Sequence, residues 1–248
     1  MKQNNSRVIQ SYSIHGFSFF GFSFELLAAF SILAFSILSS CGKQTLEIDS
    51  PSLNYFPTQK GKYVIFDVDS IVHSTDDNEN DDSVYYFHYQ VKMVIDSSFT
   101  DGEGKERQVV VRYYRADTSQ DWSVNIVWSQ SLTSSGAYMW EDNVPFHKMS
   151  FPINSQTEWD GNDKNTMEEE MYHYDDINAS RTLNSISFDS TLTIIQRDDN
   201  NFVEKIYGKE IYASGIGMIY KERKDLRKTS GIIVSGTEFK MIVSSYGD

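Results

Sequence analysis

A single cysteine, Cys41, stands in the 248 residues, so the chain can close no disulfide of its own and can gather no cysteine cluster around a metal. Cationic side chains are also scarce: 22 Lys and Arg face 35 Asp and Glu, a formal charge of −13. A chain this acidic repels a phosphate backbone, and nucleic acid is not expected as a partner. Catalytic signatures are missing as well. No H-E-x-x-H pair, no G-x-S-x-G elbow and no Walker loop occurs, and Gly215-Ile216-Gly217 lacks the third glycine that a dinucleotide loop requires. These absences point away from an enzyme and call for no cofactor. Helical periodicity is equally thin. Residues 166–174 contain Glu168, Glu169 and Glu170 but no long apolar stripe, and residues 225–229 offer one turn at most.

What is present begins with residues 26–40, of which eleven are apolar. Lys2 and Arg7 precede the run, and Leu38-Ser39-Ser40 close it just before Cys41, as in a cleavable export signal. The small pair before the cysteine resembles a bacterial lipobox. That resemblance implies that Cys41 is acylated, with palmitate as the expected label, that residues 1–40 are removed, and that lipid on Cys41 holds the protein to a membrane. An uncleaved spanning helix would need about 20 apolar residues. Extending the run back to Gly16 would place Glu25 in lipid, at roughly 2.5 to 3.5 kcal/mol. Cleavage leaves 208 residues, a size for one domain, and takes the formal charge to −14 because Lys2, Arg7 and Glu25 leave with the signal. With the sulfur acylated, no thiol is left for nucleophilic chemistry.

Residues 41–53 read as the lipidated cysteine and a tether; fully extended, twelve residues reach roughly 40 Å. Residues 54–248 carry a period of two. Tyr85, Phe87, Tyr89, Val91, Met93 and Ile95 alternate with Tyr86, His88, Gln90 and Lys92, and Trp122, Val124, Ile126 and Trp128 alternate with polar residues in the same way. Weaker stretches at 63–72, 108–115, 191–196, 202–212, 216–222 and 238–244 read alike. Turn residues separate them at 101–104, 134–136, 160–162, 198–201 and 235–236. Short links between alternating strands predict a mainly β, antiparallel single domain, a strongly curved sheet or half-open barrel with few short helices. The period predicts that Phe87, Tyr89, Trp122 and Trp128 interdigitate and fill its interior.

Candidate sites are weaker than the fold. Asp76, Asn78 and Asn80 begin like a calcium loop, but Asp81 stands where the turn needs glycine and Phe87 where a bidentate glutamate belongs, so a solvated hairpin loop is the better reading. Glu169 and His173 supply two ligands where zinc needs three or four, and His88 lies on the polar face of its strand. No metal is therefore expected. Trp140 and Trp159, beside polar and charged residues, are the candidates for ligand contact. The many carboxylates leave a glycosidase-like pair conceivable, although nothing in the sequence brings two together.

Tyr55-Phe56-Pro57 with Gly61-Lys62-Tyr63-Val64, and the segment from Glu210-Ile211-Tyr212-Ala213-Ser214-Gly215 to Glu222, resemble segments of uncharacterised lipoproteins of Bacteroidota-type bacteria. The resemblance implies a lipid-anchored protein of the bacterial cell envelope, on the outer membrane. Gly42, Lys43 and Gln44 stand where an acidic run often follows the cysteine in such bacteria, which leaves the periplasmic or surface face open. Three functions remain: a non-enzymatic binding or interaction module, which leads; a carrier of lipid or another hydrophobic ligand with an internal cavity; and an envelope hydrolase such as a glycosidase. The anchor itself is testable. Cys41→Ala is expected to abolish palmitate labelling and move the protein out of the membrane fraction, and labelling that survives the substitution contradicts the assignment.

Overall fold

The computed structural model describes residues 51–75 and 82–248. Cys41 and the signal segment, and the acidic loop with Asp76, Asn78 and Asn80, lie outside the described residues. After a 3-10 helix at Pro51–Tyr55 the described residues form twelve strands: β1 (Tyr63–Thr75), β2 (Asp82–Thr100), β3 (Glu106–Arg115), β4 (Ser123–Leu132), β5 (Gly136–Glu141), β6 (Val144–Ser150), β7 (Glu158–Asp160), β8 (Met171–Leu183), β9 (Ile186–Asn200), β10 (Glu204–Ala213), β11 (Gly217–Thr229) and β12 (Ile232–Gly247). The expected antiparallel β class is thus what the structure has. The 3-10 helix takes in residues 51–53, which the sequence pattern assigns to the tether.

The strands form one sheet in the order β6-β5-β4-β3-β2-β1-β12-β11-β10-β9-β8-β7. Two meanders, β1 to β6 and β7 to β12, are joined through the β1–β12 ladder, which leaves consecutive strands β6 and β7 at the two edges. The edges meet, and the sheet becomes a nearly closed barrel. The His147 N–H donates to the Gly161 carbonyl at 2.9 Å, the Trp159 indole N–H donates to the His147 carbonyl at 2.9 Å, and Asn165 donates to the Pro145 carbonyl at 2.9 Å. Pro145 has no N–H to offer, and β7 is three residues long. Side chains and a turn therefore finish what a ladder cannot.

Two buried clusters line the wall. Tyr55, Phe56, Met149, Trp159, Tyr172, Tyr174, Leu192, Ile194 and Tyr212 belong to one, and Phe66, Val68, Val91, Phe188, Ile211, Ile219, Met241 and Val243 to the other. On β2 the alternation holds at its C-terminal end, where Val91 and Ile95 are 4% and 7% exposed, and fails at its start. Tyr85 and Phe87 are 53% and 51% exposed, which corrects the expectation that both are core. The reason is length. β3 pairs with β2 only from Gln90 onward, so residues 84–88 form a free edge of the sheet beside β1, and Tyr85 and Phe87 lie exposed on it. A period of two shows which residues share a face, not whether anything lies opposite.

Other expectations also change. Residues 166–174 run as a loop into β8, and residues 225–229 are strand, so neither is helical. Ser235-Gly236 is no turn but part of β12, beside a bulge opposite Arg227 and Lys228. A Cβ on Gly236 would strike the Asp225 carbonyl, so glycine is what lets β11 and β12 approach there. The seam has a similar requirement at Gly161, where a Cβ would overlap the Tyr172 ring. Gly161→Ala is expected to lower stability by about 1–3 kcal/mol through this overpacking. Urea unfolding checks it, and an unchanged midpoint contradicts the account of the seam.

Candidate functional site

Five strands send charged side chains into the barrel. Lys148 on β6 places its Nζ 2.9 Å from Glu141 Oε1 on β5 and 3.1 Å from Glu210 Oε1 on β10. Lys221 on β11 reaches the same Glu210 oxygen at 3.1 Å, and the Tyr212 hydroxyl donates to Glu210 Oε2 at 2.6 Å. Glu210 is 0% exposed and Lys148 5% exposed, so these charges are held away from water. In the sheet order β6 and β10 are far apart, and the Lys148–Glu210 pair therefore crosses the interior.

Burial alone would favour the neutral forms, but the opposite charges overrule it. Burial pushes the Glu210 carboxyl up, while Lys148, Lys221 and the Tyr212 hydrogen bond hold it far below the usual carboxylate range. Burial pushes Lys148 down, and Glu141 and Glu210 hold it well above the usual lysine value. Glu141 is lowered in the same way, against its own burial, by Lys148 and Lys221. The Tyr212 hydroxyl is raised well above its ordinary value, by burial first and then by Glu210, and stays protonated as a donor.

Beside this cluster lies a cavity of about 310 Å³. Its apolar wall includes Phe66, Phe239 and four methionines, Met93, Met139, Met218 and Met241, and its polar wall includes Arg112, Glu141, Lys148, Glu210 and Lys221. Arg112 on β3 stacks its guanidinium 4.2 Å from the centre of the Trp128 ring on β4. Burial lowers the Arg112 pKa, partly offset by Glu141, Tyr89 and Asp142. The N-terminal segment forms part of the lining through Phe56 and Pro57. Gln130 donates to the Pro57 carbonyl at 2.7 Å, the Gly215 N–H donates to the Asn54 carbonyl at 2.8 Å, and the Phe56 and Tyr212 rings lie 6.5 Å apart. The two segments that resemble envelope lipoproteins thus meet at one wall of the cavity.

The cavity corrects the expectation of a filled interior. Trp128 borders it, Tyr89 leans on Tyr114 with ring centres 5.3 Å apart, Phe87 is exposed, and Trp122 is half-buried under the Arg115 guanidinium. Neither tryptophan proposed as a ligand contact borders the cavity. Trp140 is half-buried, with the Arg107 guanidinium 3.8 Å from its ring centre, and Trp159 is core, 6% exposed among His147, Tyr172 and Tyr174. His88 is exposed and hydrogen-bonded to Asp69 at 3.0 Å, while Glu169 and His173 are both exposed. Among the described residues no group of three or more His, Cys, Asp and Glu side chains is arranged to hold a metal. Sequence reasoning passed over Glu210, Lys148 and Arg112. The one available signal was Glu210 and Tyr212 together within a segment that reads as strand, an acid and a ring on the same face.

Glu141 and Glu210 do converge. Their Oε1 atoms both contact one Nζ, so they lie no more than about 6 Å apart, close to a retaining glycosidase separation. The electrostatics oppose that chemistry. A general acid needs a raised pKa, whereas both carboxylates are lowered and Lys148 stands between them.

No family model matches the sequence, and no curated protein matches it. Two solved structures are similar in fold: a Bacteroides fragilis protein described as exported with a YmcC-like fold, at 12% identity and a TM-score of 0.41, and a Parabacteroides distasonis protein described as a lipoprotein, at 10% and 0.40. Each comparison covers 78% of this chain and 98% of the other.

The cluster predicts how stability follows pH. Glu210 has a folded-state pKa below its unfolded value of about 4.3, so its contribution is complete above that value and is lost as pH falls. Lys148 has a folded-state pKa above its unfolded value of about 10.4, so its contribution is complete below that value and is lost only in strong base. The urea midpoint is expected to drop on acidification below about pH 4. Glu210→Gln is expected to cost about 3–5 kcal/mol at neutral pH and to flatten that acid limb. A variant as stable as the parent, or an unaltered acid limb, contradicts the assignment.

Proposed function

We propose that this chain is a lipid-anchored binding protein of the bacterial cell envelope, attached through Cys41, that holds a small apolar molecule inside its barrel. The supporting observation is the cavity. Its volume of about 310 Å³ stands at the small end of the range for small-molecule sites, about 300–1,000 Å³, and the four methionines in its wall are flexible enough to fit more than one shape. A domain that acts only through its outer surface has no use for such a void, because packed interiors leave few spaces larger than a water molecule. The hydrolase reading loses support because neither converging carboxylate is poised to give up a proton in the neutral range.

One observation favours a second reading, an interaction module. Tyr85 and Phe87 on one face of β2 and Tyr86 on the other stand 53%, 51% and 76% exposed at the free edge of the sheet, an apolar edge for a protein partner to cover. The outer membrane is the proposed site of anchoring, on the resemblance of the two segments and the lipobox-like residues before Cys41.

Fluorescence titration of the purified chain with N-phenyl-1-naphthylamine, a neutral apolar dye, tests the cavity reading. Saturable binding at one dye per chain is expected. Met93→Trp or Met241→Trp, which fill the void, are expected to abolish it while the strand-type circular dichroism persists. Tyr86→Lys is expected to leave it unchanged. Absence of saturable binding to the parent protein overturns the carrier reading in favour of the interaction module.

A further inference from the structure

The charges around the cavity do not balance. Among the described residues its lining has four cations, Lys62, Arg112, Lys148 and Lys221, and two carboxylates, Glu141 and Glu210. Lys62 is taken by Asp248 at 2.9 Å, Lys148 is shared by Glu141 and Glu210, and Lys221 is held by Glu210 at 3.1 Å. Arg112 is left. Among the described residues no carboxylate oxygen forms an ion pair with it, and its Nε is shut off from solvent with no hydrogen-bond partner. The charged groups nearest to it do not change this. Glu141 is committed to Lys148, Asp142 is exposed and accepts from the Trp128 indole at 3.3 Å, and the Tyr89 hydroxyl is raised by burial and so is neutral.

Resting on the reading that the cavity holds a small apolar molecule, we propose that this molecule carries a single negative charge, its acid group on Arg112 and its apolar body among the methionines. Trp128 covers one face of the guanidinium, which leaves the donors in the guanidinium plane for a ligand. A planar fork of N–H groups is the arrangement that a carboxylate meets with two parallel hydrogen bonds. Nε itself, shut off from solvent, is out of a ligand's reach, so the terminal nitrogens of the guanidinium meet the anion, which supplies the missing charge. One uncompensated cation asks for one negative charge. A cationic amphiphile of the same size would stand beside Arg112, Lys148 and Lys221 and is excluded.

Titration calorimetry of the purified full chain at pH 7.5 with sodium octanoate, 1-octanol and octylammonium chloride distinguishes the possibilities. Octanoate is expected to bind at least about tenfold more tightly than octanol, the lower end for a charge-assisted hydrogen bond, and octylammonium is expected not to bind. Arg112→Gln is expected to reduce octanoate to the affinity of octanol while octanol is unaffected, and Arg112→Lys to keep part of the difference. Equal affinity of octanoate and octanol for the parent protein overturns this proposal and leaves the cavity reading intact. Failure of all three probes to bind overturns both.

Discussion

Lys148 reaches across the barrel to Glu210, and the hollow interior depends on that contact. The two residues belong to opposite meanders, so their pairing ties together halves of the sheet that are otherwise joined by the β1–β12 ladder and a short seam. A buried ion pair left to itself is a weak source of stability, because desolvation consumes most of the attraction. Here Glu141, Lys221 and Tyr212 add a carboxylate, a second ammonium and a hydroxyl donor around the pair. With its hydrogen-bonding groups met, the cluster stays charged away from water. Long side chains fixed in this way cannot relax into the adjoining space, and the methionine wall opposite them remains unfilled.

How much of this could be read from the residues depends on what each strand faces. β1, β2, β3, β4, β9, β10, β11 and β12 show alternation over at least part of their length, because one side of each is apolar wall. β6 escaped detection. His147, Lys148 and Met149 are buried in succession, since one fills the seam and the next belongs to the ion cluster, so the pattern of apolar and polar residues is broken where the charged cluster is built. β8 escaped for a geometric reason. Its register shifts between Asp175, Ala179 and Arg181, with positive φ at Asp176 and Asn178, which breaks the period. The cluster itself was beyond reach, because its members lie up to 80 residues apart in the chain and no local spacing brings Glu141 and Lys221 together.

The tryptophans illustrate the same limit from the other side. Trp122 and Trp128 occupy one strand-like face, yet Trp128 shapes the cavity beneath Arg112 while Trp122 lies outside it beneath Arg115. Trp159, whose neighbours in sequence are Glu158 and Asp160, is nonetheless core, because the seam brings Tyr172, Tyr174 and His147 around it. Local polarity is a poor guide when the opposing surface comes from distant strands. By contrast, the two segments that resemble envelope lipoproteins prove to be neighbours: Pro57 and the Gly215–Gly217 turn meet at the cavity wall, a contact that accounts for their small residues and their aromatic rings.

The central claim is that a charged Lys148, held by two carboxylates inside the barrel, organises the interior. Nitrogen-15 NMR of the lysine side chains tests it directly. The account predicts one Nζ resonance, assigned to Lys148 by its loss in Lys148→Met, that keeps its ammonium shift beyond pH 11 while ordinary lysines titrate near about 10.4. A Lys148 resonance that titrates at or below that ordinary value would contradict it.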